Sequence, residues 1–129
     1  MRGFRALLGS DRWQALQPLG LLRSYRPGSF LLRQGESGGF LLALCRGRVK
    51  VLAATENGSE VLLSFRGAGD FVGEMALTSG VRSATVQAID RCAALYVTSA
   101  AFQKFLLEYD ARGVFTDYLI SKLSREAVS

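Results

Sequence analysis

The spacing of apolar positions changes twice along this chain, and the changes divide it into three parts. At the start, Phe4, Leu7, Leu8, Trp13 and Leu16 recur at helical intervals, and Ser10 stands where it can cap a helix beginning at Asp11. Two short helical pieces are predicted. Pro18 and Gly20 break that pattern, and Pro27-Gly28 makes a turn, so a helical N-terminal part is set at about residues 1–26.

From Ser29 the apolar runs shorten and glycine punctuates them. Ser29–Arg33, Phe40–Cys45, Arg48–Ala54 and Glu60–Arg66 read as strands, with Gly35, Gly38 and Gly39 between the first two. Val49 and Val51 alternate with Arg48 and Lys50, which predicts one buried and one wet face. Asn57-Gly58 falls between the third and fourth runs and signals a hairpin, because both residues tolerate positive φ. Ala84–Ala88 and Ala93–Thr98 add two further strands, joined at Ile89-Asp90-Arg91. So many short strands argue for a sandwich or barrel-like β-domain.

The last third is helical again. Thr98 or Ser99 can cap a helix with Phe102, Phe105, Leu106 and Tyr109 on one face. A second helix, from about Ala111 onward, carries Phe115, Leu119 and Leu123 at four-residue steps, with Val114 and Tyr118 beside them. Two uses of that stripe stay open: packing on the β-domain, or packing on a second copy of the chain as a homodimer. The pattern is still running at Ser129.

Composition acts mainly by exclusion. Hydrophobic residues make up 49% of the 129 and charged residues 21%, which suits one ordinary globular domain. The longest strongly apolar run, Phe40 to Cys45, is far short of the roughly 20 residues a membrane helix needs. The N-terminal MRGFRALLGSDRW is a poor signal peptide, so no membrane contact is expected and the chain is read as cytoplasmic. The net charge of +5 comes from arginines scattered singly, which favours anionic partners in general without marking a nucleic-acid surface. No histidine is present, which removes Ser-His-Asp and Cys-His catalysis and the usual zinc and haem sites, so no enzyme and no cofactor or metal are expected. Cys45 and Cys92 sit in strand-like segments and read as two buried thiols.

The candidate chemistry lies in one stretch, Gly69 to Val86, reading GDFVGEMALTSGVRSATV. Backbone N–H groups freed by a glycine turn can point at phosphate oxygens. A guanidinium such as Arg82 grips two such oxygens with its planar fork, and a carboxylate such as Glu74 accepts from a sugar hydroxyl. Each has a plainer reading: Glu74 and Arg82 as an exposed ion pair, Ser83 as a turn hydroxyl, and Val51, Leu63 and Val72 as core.

YRPGSFLLRQGE, then GRVKVLAATENGSEVLLSF, then GDFVGEMAL and RSATVQA, then the Phe102–Leu106 helix, together resemble the cyclic nucleotide-binding domain. More narrowly they are similar to the sensor half of Crp/Fnr-type transcription regulators, over about Phe4 to Ser124. The resemblance implies a mainly β fold, a double-stranded β-helix or jelly-roll-like β-roll with flanking N- and C-terminal helices. The roll would span 27–98 with a phosphate cassette at 69–86, and 99–129 would be C-terminal helices, the last one suited to dimerisation.

The resemblance also implies roles. Arg82 pairs with a cyclic phosphate and Ser83 donates to it; Glu74 accepts from the ribose 2′-hydroxyl; Gly73 and the backbone at Met75 and Ala76 line the sugar-phosphate. Val51, Leu63, Val72 and Ala84 match positions around the ligand or under the cassette. The implied ligand is cyclic AMP, with cyclic GMP allowed, and DNA would be reached only through a domain absent from this chain. Two features depart from the family pattern: Val81 stands where a proline is usual in a shortened loop, and SREA at 124–127 lacks the threonine-serine step that closes over adenine, leaving Lys122 and Glu126 as nearby polar groups. A nucleotide-independent dimerisation module, or one taking a cyclic dinucleotide, is the alternative function.

Overall fold

The computed structural model describes residues 3–74 and 80–128, with side chains through Ser121. Helices α1 (Phe4–Leu8) and α2 (Ser10–Leu16) turn into one another at Gly9, whose φ of 91° suits glycine. Ser10 is the first helical residue and not the cap; Gly9 takes the cap position without a side-chain bond. A 3₁₀ turn, Gln17–Leu19, follows.

The expected helical part through about residue 26 ends there, because Leu21–Tyr25 is a strand, β1. Gly20 makes the switch feasible: a Cβ at that position would stand 2.4 Å from the carbonyl oxygen of Tyr96, so only a bare backbone approaches the sheet this closely.

The remaining strands are β2 (Phe30–Leu32), β3 (Phe40–Arg46), β4 (Val49–Ala54), β5 (Glu60–Arg66), β6 (Phe71–Val72), β7 (Thr85–Ala88) and β8 (Cys92–Thr98). They form two antiparallel four-stranded sheets, ordered β1-β8-β3-β6 and β2-β7-β4-β5. Between β4 and β5 the Asn57-Gly58 signal is realised in a tight loop. Gly58 takes φ 85°, the Thr55 N–H donates to Ser59 O at 2.7 Å, and the Asn57 side chain accepts from Ser59 N. The fold is mainly β, a β-roll with flanking helices.

Within the sheet β1-β8-β3-β6, strand β3 is buried on both faces, which is why it reads as a continuous apolar run. The sheet's inner face, with Leu42, Leu44 and Ala94, packs against Val49, Val51 and Val86 of the opposite sheet. Its outer face, with Leu41, Ala43, Leu95 and Val97, packs under the helices. Those helices contribute Phe4, Trp13, Phe102, Phe105, Phe115 and Tyr118, with rings commonly 5–6 Å apart and edge to face, as for Phe102 and Phe115 at 5.1 Å.

Helix α3 (Ser99–Glu108) is capped by Thr98, whose side chain accepts from Ala101 N. Helix α4 (Arg112–Val128) follows a turn in which Asp110 takes φ 50°. Phe115 and Tyr118 are buried, and Val114 and Leu119 pack partly against the same cluster. The first part of the predicted stripe thus lies on its own chain; the side chains of Lys122, Leu123 and residues 124–127 fall outside the described ones.

Both cysteines are free thiols, Cys92 buried and Cys45 half-buried on the bulge of β3. Among the described residues, no helix is long and apolar enough to cross a membrane, and no group of metal-ligating side chains is assembled.

Candidate functional site

The site is built where the short edge strand β6 runs out. Val72 is fully buried in the inner cluster, and the chain then turns at Gly73 with φ 86°. A Cβ at Gly73 would stand 2.6 Å from Nη1 of Arg82 and 3.0 Å from Leu32, so glycine is required both for the turn and for the approach of the guanidinium. Glu74 comes next and is 1% exposed.

Arg82 returns from the other end of the stretch and is 4% exposed. Its Nη1 donates to Gly73 O at 2.9 Å and its Nη2 to Phe40 O at 2.7 Å. Its own backbone is clipped to the β2–β3 loop: Arg82 N donates to Glu36 O and Gly35 N to Arg82 O, both at 2.9 Å. Val81 bridges Ser37, and Gly38 N donates to Gly80 O, so the glycine-rich loop and the cassette exit form one ribbon. Burial pushes the Arg82 guanidinium down from the usual arginine range, against the opposing pull of Glu36 and Tyr96; it stays a cation.

The exposed-pair reading of Glu74 and Arg82 fails on burial. Glu74 instead lies 3.5 Å from Nη1 of Arg66, at the end of β5, with both side chains buried. Arg66 also donates to Phe71 O. Removing one member of such a buried pair typically costs about 3–5 kcal/mol, since the other charge is left uncompensated.

Of the apolar candidates, Val51 and Val72 are buried in the inner cluster, and Leu63 and Ala84 pack partly buried against it. The four therefore belong to one apolar cluster, which Val72 joins directly to Gly73. Ser83 is exposed. Met75 and Ala76 lie outside the described residues.

The model of the cyclic nucleotide-binding domain matches residues 22–109, most of the chain and all of the site just described. The chain belongs to the cyclic nucleotide-binding domain family. The cAMP-activated global transcriptional regulator CRP of Salmonella typhimurium is 33% identical over 87 residues, 66% of this chain and 41% of the regulator. The cGMP-dependent protein kinase 2 of Mus musculus is 30% identical over 105 residues, 79% of this chain and 14% of the kinase. The chain thus spans less than half the length of these relatives. Among solved structures, the catabolite activator protein of Thermus thermophilus superposes with a TM-score of 0.76 at 24% identity, over 92% of this chain and 55% of that one. The c-di-GMP responsive global regulator CLP of Xanthomonas campestris gives 0.80 at 22% identity, over 91% and 59%. These two likenesses carry the fold.

Within this cyclic nucleotide-binding domain, sequence reasoning missed three participants. Arg66, the ion-pair partner of Glu74, looks like any strand-terminal charge. The carbonyl of Phe40 is a backbone group without a sequence signal. Gln34 is the third: its backbone N–H donates to Thr85 Oγ1, while its side chain receives Ala54 N at 2.7 Å and donates to Ala54 O. It ties the start of β7 to the end of β4. Its presence in the RQGE motif was the available signal.

Proposed function

We propose that this domain is a cyclic-nucleotide sensor, the effector-binding part of a Crp/Fnr-type transcription regulator. Its ligand is cyclic AMP, with cyclic GMP accepted more weakly, and DNA is contacted by a domain outside this sequence. The observation that carries the reading is the buried Arg82 guanidinium, fixed between the carbonyls of Gly73 and Phe40 beside the buried Glu74. A buried cation held by two backbone acceptors is poised for an anionic group that completes its charge.

In this reading Arg82 takes the cyclic phosphate, Ser83 donates to it, and Gly73 with the backbone of Met75 and Ala76 lines the sugar-phosphate. Glu74 accepts from the ribose 2′-hydroxyl. Val51, Leu63, Val72 and Ala84 supply the apolar surface next to the sugar and base. Among the described residues of this arrangement none forms an activated nucleophile or a proton-transfer pair, and in this reading the domain binds its ligand without turning it over. Signal leaves through α4, by way of Tyr118, and a homodimer through the same helix completes the switch in the cytoplasm. Binding biases such a switch only by its differential affinity for the two arrangements.

Calorimetric titration with cyclic AMP, cyclic GMP and cyclic di-GMP tests this. Binding of a cyclic mononucleotide that Arg82→Ala abolishes or weakens is the expected result. Binding of cyclic di-GMP alone transfers the site to a dinucleotide, and binding of none leaves a dimerisation module.

A further inference from the structure

Arg82 is the end of a stack that runs out of the cassette and across the sheet. Its guanidinium carbon lies 4.6 Å from the centroid of the Phe40 ring. Phe40 lies against Tyr96, centroids 4.3 Å apart and planes 31° from parallel. Arg23 lies over Tyr96, 4.0 Å from its centroid. Two groups this near one ring centroid cannot share a face, so the order is Arg82, Phe40, Tyr96, Arg23.

The strand register explains how the stack is made. β1, β8 and β3 are neighbours; Arg23 pairs with Ala94, Leu42 with Tyr96 and Phe40 with Thr98. Arg23, Tyr96 and Phe40 are therefore successive diagonal neighbours on the inner face, a distance that aromatic and long side chains span. Ring faces carry negative potential, so a guanidinium at each end is favoured. The other three members of the stack come from the paired strands β1, β3 and β8, and none from the cassette.

We propose that Phe40 and Tyr96, with Arg23 closing the far end, are positioning residues for Arg82: they fix the plane of the guanidinium for the cyclic phosphate from outside the cassette. This rests on the reading of Arg82 as the phosphate ligand. The two carbonyls fix the in-plane orientation and the Phe40 ring fixes the plane itself, which leaves the remaining guanidinium N–H groups for phosphate oxygens. A cassette with a short loop, and Val81 where a proline is usual, then needs no rigidity of its own to place its arginine.

The test has two arms. In the ligand-free chain, nitrogen–proton spectra of the Arg82 guanidinium should show slow rotation and ring-current shifts. Phe40→Leu should abolish both and Phe40→Tyr keep them; unchanged Arg82 signals in Phe40→Leu overturn the proposal whatever the chain binds. In the second arm, Phe40→Leu should weaken cyclic AMP binding about 5- to 30-fold, the value of one desolvated stacking contact. Phe40→Tyr should restore it, and Tyr96→Leu should fall between. Adenosine, which lacks the phosphate, should bind all variants alike, and in an Arg82→Lys background Phe40→Leu should add little. Equal losses for cyclic AMP and adenosine would make Phe40 structural only and sink the idea. If the wild-type chain fails to bind any cyclic nucleotide, the ligand reading is what fails, and the spectra alone decide the positioning.

Discussion

At the scale of single residues, the domain separates three kinds of charge. Arg82 is buried on two carbonyls, and under the proposed function, in which it takes the phosphate, Arg82→Ala should weaken cyclic-nucleotide binding about 10- to 150-fold, the 1.5–3 kcal/mol of a charge-assisted contact. Calorimetry giving unchanged affinity would remove the phosphate from Arg82. Glu74 already has Arg66, so Glu74→Gln acts twice. It should lower the melting temperature by weakening the buried pair, and it should lower affinity for cyclic AMP more than for its 2′-deoxy analogue. Equal losses for both ligands would confine Glu74 to the structural role. The third kind is Arg48–Asp90, a surface pair at 2.8 Å, where the Arg48 hydrogen bond holds Asp90 below its ordinary carboxylate range. The sequence showed Arg82 and Glu74 because side-chain chemistry at a fixed spacing is written in letters. It could not show what they rest on, since the carbonyls of Gly73 and Phe40 belong to every residue alike, and Arg66 is brought in by the pairing of β5.

At the scale of elements, the legible ones are those whose signals are local. The β4–β5 hairpin announces itself through Asn57-Gly58, and β3 through an apolar run buried on both faces. Strand β1 does not: Leu21 and Leu22 are 66% and 67% exposed, so no alternation marks it, and its pairing with β8 is set far along the chain. The least legible link is between β6 and α4. The Tyr118 hydroxyl, fully buried, both accepts from Phe71 N and donates to Phe71 O at 3.2 Å. It occupies the outer edge of a two-residue strand that ends one residue before Gly73, and so joins the last helix to the cassette. Tyr118→Phe keeps the ring and strips both bonds, which should cost about 1–3 kcal/mol for buried backbone groups left without them. Thermal unfolding reads that loss. If Tyr118 also transmits binding, the variant should bind cyclic AMP while its α4 amides lose their ligand-dependent change in hydrogen exchange; an intact response would route the signal elsewhere.

At the scale of the whole molecule, these links make ligand binding and folding one equilibrium. The cassette is held by the inner cluster through Val72, by the β2–β3 loop through Arg82, and by the helical layer through Tyr118, so opening it loosens both sheets and the helices together. A nucleotide that binds only the assembled site must then raise the stability of the entire chain, and by mass action. At about 100 times its dissociation constant the gain is about 2.7 kcal/mol. For a chain of this length that corresponds to a rise of about 8–10 °C in melting temperature. The rise should follow the logarithm of ligand concentration, order cyclic AMP above cyclic GMP, and shrink in Arg82→Ala with the logarithm of its lost affinity. Repeating the melts over a range of protein concentrations adds the dimer: association through α4 should make the transition move upward with protein as well as with ligand. A transition insensitive to protein concentration would leave α4 to its own chain, where Phe115 and Tyr118 already bury it against Phe4 and Phe102. A transition insensitive to every nucleotide would mean that the buried arginine serves the fold alone.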